Sequence, residues 1–224
     1  MKKIILLLLV CCTIVTTKAQ LNAGEKAIGG SISFNLQDYN TNNDQLATPS
    51  RYARANAFIT LGKFISPARE RGFLLSYSLS SQTNWYGNDV TTITHTIGAG
   101  YFRNYYKSIG KNFFLSLNWN ISGNGIFSAG PDSSANGEPV MKTKGWGIST
   151  SINPGIIYKI DKRWLVTMQL NNIAFLGYSH LEEQTIQPQN SYTTTTNDLT
   201  AYSSLNNVSL GSISIGFKYI MNPK

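Results

Sequence analysis

The chain offers few groups that could do chemistry, and its two histidines come first. His95 stands between Ile93 and Ile97, so in an extended strand it falls on the apolar side. A nucleophilic site needs a hydroxyl or thiol within reach of the imidazole. The same-side position two residues on is Ile97 instead. His180 is followed by Glu182 and Glu183 at the start of a long polar stretch. A protein metal site converges at least three ligands at suitable spacing, and that spacing is not visible here. Cys11 and Cys12 both lie in the N-terminal apolar run, so the remaining chain has no disulfide, thiolate metal site or cysteine nucleophile. Asn120-Ile121-Ser122 fits a glycosylation sequon but lies within a strand. The chain is therefore read as non-enzymatic, with no cofactor and no metal.

What positions these residues is a series of strands. FFLSLNWNIS (113–122) puts Phe113, Leu115, Leu117, Trp119 and Ile121 on one face and Phe114, Ser116, Asn118, Asn120 and Ser122 on the other. Eight segments alternate in this way, and none reads as an amphipathic helix. Their apolar faces carry Leu75 and Tyr77, Leu115, Leu117 and Trp119, Ile152 and Ile156, Val166 and Met168, and Ile213 and Ile215. In WLVTMQLNNIAFLGY the phase is expected to slip to Ile173 and Phe175, with a bulge near Asn171 and Asn172. Pro154 falls on the apolar face of the sixth segment and predicts irregular pairing there. Connections alternate between short (SPARERG, KSIGKN, DKR) and long, the last long one running from Ser179 to Asn206. That is the plan of an up-and-down barrel with an even number of strands.

Lys2 and Lys3, an apolar run to Val15, and Thr17 and Ala19 at −3 and −1 form a secretory signal peptide. The expected domains are residues 1–19 as signal and 20–224 as barrel. The formal charge is +8, and removing Lys2, Lys3 and Lys18 leaves +5. The cations are dispersed, with no basic run, so nucleic acid is not expected as a partner. Only 13% of residues are charged, against about 25% for a soluble domain. The polar strand faces carry Ser, Asn, Gln, Thr and Gly almost without charge, which suits a narrow interior better than a wet exterior. Aromatics gather near strand ends, as in the two girdles of a membrane barrel. The expected fold is all-β: an eight-stranded antiparallel transmembrane barrel with its apolar faces to lipid.

The segments LGKF…RGFLLSYS and AGYF…IGKNFFLSLN and the terminal Phe217-Lys218-Tyr219 resemble the small outer-membrane β-barrel proteins of Bacteroidota, similar in architecture to the OmpA/OmpX-type barrel. The resemblance implies location in the cell outer membrane, outer-membrane lipids as surroundings, and assembly by the insertion machinery. Phe217 and Tyr219 would serve as the C-terminal insertion signal. The chain itself is read as having a structural or surface-interaction role, with a small-solute pore as the alternative and a lipid-modifying enzyme as a third. Outer-membrane lipid A deacylases place a His and a nearby Ser on the barrel wall, a pattern that Ile97 breaks. Exposed loops on a rigid scaffold carry binding, so Glu182, Glu183, Tyr192 and Asp198 in the last long segment are the candidate contact residues.

Overall fold

The computed structural model describes residues 21–39, 50–86, 88–129, 140–186, 191–203 and 213–221. The signal-peptide residues lie outside these, as do 40–49 and 130–139, which belong to expected long connections, and 204–212, which spans the end of the last expected connection and the start of the eighth expected strand. The described residues form ten strands. They are β1 (Lys26–Tyr39), β2 (Ser50–Ser66), β3 (Arg69–Tyr86), β4 (Asn88–Ser108), β5 (Phe113–Ala129), β6 (Val140–Lys159), β7 (Trp164–Leu170), β8 (Ala174–Ile186), β9 (Ser191–Ser203) and β10 (Ile213–Met221). Every pairing is antiparallel, and β1 through β7 with β10 close a ring of eight.

Period-two alternation decides which face of each strand turns inward. Leu117 is 44% exposed on the outside, whereas Phe64, Phe102 and Leu165 inside are 0% exposed. Gly216 is buried on the inner face, and a Cβ there would run into the Gly30 carbonyl and lie 2.7 Å from Ser31 Cβ. The apolar core sits at the short-turn end. Leu21, Ala27, Phe64, Tyr106, Phe114, Ile157, Leu165 and Ile220 meet there and floor the barrel.

The seventh stave differs from the expectation in an instructive way. β6 pairs with β7 through Gly155↔Gln169 and with β8 through Ile152↔Ala174. On the β6 side Leu170 to Ile173 therefore face only Asn153 and Pro154. Lys159 N donates to Asn112 O on the β5 side, and Ile173 N donates to Ile152 O on the β8 side. Backbone groups of a strand alternate in direction, so Pro154 turns its missing N–H toward the break. The expected bulge and the expected irregularity at proline are one defect. Asn172, at φ 55, takes the left-handed conformation that asparagine tolerates. Its N–H donates to Asn153 Oδ1 at 2.6 Å.

The expected phase slip does not occur. The break adds two residues, an even number, so Ala174, Leu176 and Tyr178 stay in phase with Val166 and Met168 on the outside. Ile173 is buried and Phe175 turns to the lumen. The expected loop from Ser179 to Asn206 is corrected as well. Most of it is β8 and β9, paired from Ala174↔Ser203 to Ile186↔Ser191. Another of the long connections is likewise strand, since β3 and β4 pair as far as Tyr86↔Asn88.

Candidate functional site

The interior is built in tiers from the floor upward. Above the apolar floor lies a charged cluster, in an interior expected to be almost without charge. Glu70, from the start of β3, accepts from Lys218 Nζ on β10 at 2.5 Å and from Asn104 Nδ2 on β4 at 2.8 Å. Tyr106 Oη also donates to Glu70, and Lys218 Nζ lies 3.2 Å from that hydroxyl. The ammonium stands 5.7 Å from the Phe102 ring. The side chains of Glu70 and Lys218 are 0% and 7% exposed, so both charges are out of water and each depends on the other. Glu70 Oε1 has no hydrogen-bond partner among the described residues. It packs against Gly62, where a Cβ would overlap the carboxylate. Alternation with Phe217 and Tyr219 puts Lys218 on the inner face, whereas Glu70 lies in SPARERG, one of the expected short connections. Only the register of β2 with β3 carries it inside.

Above the cluster runs a ladder of carboxamides. Asn118 donates to Asn104 at 2.7 Å, while Asn120 and Asn153 each donate to Asn118 at 3.1 Å. Asn120 and Asn153 also reach Ser151, at 3.0 and 3.1 Å. Neutral amides both donate and accept, so they satisfy one another where water is scarce. Over them opens a cavity of about 440 Å³, lined by groups such as Ser33, Asn56, Asn124, Ser149, Gln169 and Thr200.

At the other end β8 and β9 form a hairpin. The alternation of strands splits the four candidate contact residues. Glu182 shares the outer face with Trp146 and His180, whereas Glu183, Tyr192 and Asp198 lie on the lumen-side face. Tyr192 is 55% exposed there. His180 is therefore a strand residue and not a loop residue. It stacks on Trp146, with centroids 5.9 Å apart, and its Nδ1 is 2.8 Å from Asn197 Oδ1. Glu182 bridges to Lys144 at 2.9 Å, and that hydrogen bond and charge hold its carboxyl below the usual range. With Glu183 turned away, His180 and the two glutamates do not converge, and the described residues hold no group of three His, Cys, Asp or Glu that could bind a metal.

On the outer wall His95 Nδ1 is 2.8 Å from Tyr77 Oη, so its partner is a phenol. Leu75, Tyr77, Leu115, Leu117, Trp119, Ile152, Ile156, Val166, Met168, Ile213 and Ile215 all lie in the outward phase of their strands. Phe217 and Tyr219 are outward on β10, and Tyr219 stands 5.0 Å from Trp164. Phe73–Tyr101 and Phe113–Tyr158 extend that girdle, with centroids 6.2 and 4.8 Å apart.

No family model matches the chain, and no curated protein matches it. Among solved structures, the outer membrane protein OprG from Pseudomonas aeruginosa superposes with a TM-score of 0.56 at 13% identity, over 90% of this chain and 98% of that one. The outer membrane protease OmpT from Escherichia coli aligns over 92% of this chain and 96% of its own, at 11% identity and a TM-score of only 0.42. The first likeness joins the closed ring, the outward apolar faces and the polar interior in one result: the fold is that of a transmembrane β-barrel.

Proposed function

We propose that the chain is an integral outer-membrane protein that works as a surface scaffold. The barrel anchors it, and the β8–β9 hairpin is its contact element. The observation that carries this reading is the sealed floor. Phe64, Phe114, Leu165 and Ile220 close the short-turn end, and Glu70 with Lys218 closes the level above. An eight-stranded ring leaves an interior that side chains fill. The hairpin is the part least needed for ring closure, because β7, β10 and β1 close the ring without it. Outer-membrane lipids then surround the wall, and the insertion machinery reads Phe217 and Tyr219 on the last strand. Residues 1–19 direct export.

The polar cavity favours a second reading, a pore for small solutes, and the sealed floor argues against it. The lipid-modifying reading finds a hydroxyl within reach of His95, but it is the Tyr77 phenol and not the serine of a deacylase wall site. Capture from intact outer membranes tests the scaffold reading, with the whole barrel and a hairpin-trimmed barrel as baits. A partner retained by the first and lost from the second is expected. Equal capture by both, or stable single-channel conductance of the purified barrel, would overturn it.

A further inference from the structure

Four cations form one row across the outside of the wall toward its short-turn end. Lys26 stands opposite Lys63, Lys63 opposite Arg71, and Arg71 opposite Arg103. All four are exposed, and the inward neighbours Ala27, Phe64, Gly72 and Phe102 are buried, so the side chains point away from the lumen. Directly opposed residues have Cβ atoms about 4.5–5.5 Å apart, and like charges in that position destabilise a sheet. Among the described residues no carboxylate relieves them. Lys26, Lys63 and Arg71 have no ion-pair partner among the described residues, and the nearby Glu25 and Glu70 are buried, Glu70 on Lys218. Arg103 is held in place by Tyr101, whose hydroxyl accepts from Nε at 3.2 Å.

A second row lies two residues further along each strand, toward the middle of the wall. Ile28, Leu61, Phe73 and Tyr101 are opposed in sequence across the same four strands. Ile28, Leu61 and Phe73 are 42%, 52% and 70% exposed. Each cation thus sits beneath an apolar or aromatic side chain. The patch is local: on the other staves the outward residues near this end are Phe113, Tyr158, Trp164 and Tyr219.

An anion would relieve the repulsion within the lower row, and hydrocarbon would cover the upper row. A soluble anion does only the first. We propose that this two-tier patch is a docking site for an anionic phospholipid of the leaflet at the short-turn side. Its phosphate bridges Lys63 and Arg71, and its chains lie on Leu61 and Phe73. The inference rests on the membrane reading given above.

The test is native mass spectrometry of the detergent-solubilised, folded barrel with phosphatidylglycerol and phosphatidylcholine of identical chains. Preferential retention of phosphatidylglycerol is expected, falling roughly fivefold for each cation removed in K63Q and K63Q/R71Q. The swap K63R/R71K should keep it, and K111Q/K162Q, in the turns, should leave it unchanged. Equal retention of the two lipids, an unchanged K63Q/R71Q, or displacement by millimolar inorganic phosphate would overturn the site. The heat-dependent gel shift of each variant reports the barrel independently. A wild-type chain that shows no such shift and dissolves without detergent would contradict the membrane reading itself.

Discussion

At residue scale, the sides of the wall are distinguished by Leu117 and Asn118. Leu117 faces out, and lipid is as apolar as leucine, so L117A should cost less than about 1 kcal/mol in a bilayer. Asn118 holds three carboxamide contacts inside, and N118W should cost roughly 1–3 kcal/mol from overpacking plus the broken bonds. Reversible unfolding in lipid vesicles measures both, and a larger cost for L117A would turn the barrel inside out. The buried pair allows a sharper comparison. K218M takes the cation away from the buried Glu70 carboxyl, which typically costs about 3–5 kcal/mol, whereas E70L/K218M removes the whole pair and should recover most of that loss. A double variant no better than K218M would show that the pair is not the coupled unit described. Asp161 accepts from the N–H groups of Arg163 and Trp164 at 2.6 and 2.7 Å, and these bonds lower its pKa. A group with a depressed folded pKa contributes above its unfolded value and is lost as pH falls through the folded one. Exchange of the Trp164 amide, corrected for intrinsic rate, should therefore rise on acidification below the ordinary carboxylate range, and D161N should abolish that dependence.

At the scale of elements, the clearest prediction concerns the break beside Pro154. Restoring a donor and removing the two surplus residues together, as P154V with Asn171 and Asn172 deleted, should give one continuous strand from Trp164 to Ile186. Hydrogen exchange at Ile152 and Met168 should slow in that variant. Unchanged exchange would mean that another feature holds the wall apart. Trimming residues 183–194 should leave a ring with its heat-dependent gel shift, because ring closure uses β7, β10 and β1. Loss of the shift would make the hairpin part of the barrel's own stability.

These elements also show how far the sequence could be read. Strand faces were legible because a period of two needs no partner to be seen: Leu115, Leu117 and Trp119 alternate with Ser116, Asn118 and Asn120 wherever the strand goes. Pro154 and the Asn171-Asn172 pair were each visible as disruptions. Their union was not, because it depends on the register of β6 with β7 and β8. The hairpin was hidden for a related reason. Ser191 to Ser203 is threonine-rich, polar on both faces and almost wholly exposed, so no alternation marks it as a strand. Glu70 and Lys218 are 148 residues apart, and only ring closure brings them together.

On the scale of the whole molecule, a sealed floor, a polar lumen and an apolar exterior belong to one object. Trp119 reports the last of these from within the wall, on the outer face opposite Ile152. The most direct measurement keeps Trp119 as the one tryptophan, with W85F, W146F and W164F, and inserts the protein into vesicles with brominated acyl chains. Brominated lipid should quench its fluorescence strongly, and acrylamide added to the water should quench it little. Strong quenching by acrylamide with none from the brominated chains would contradict the account.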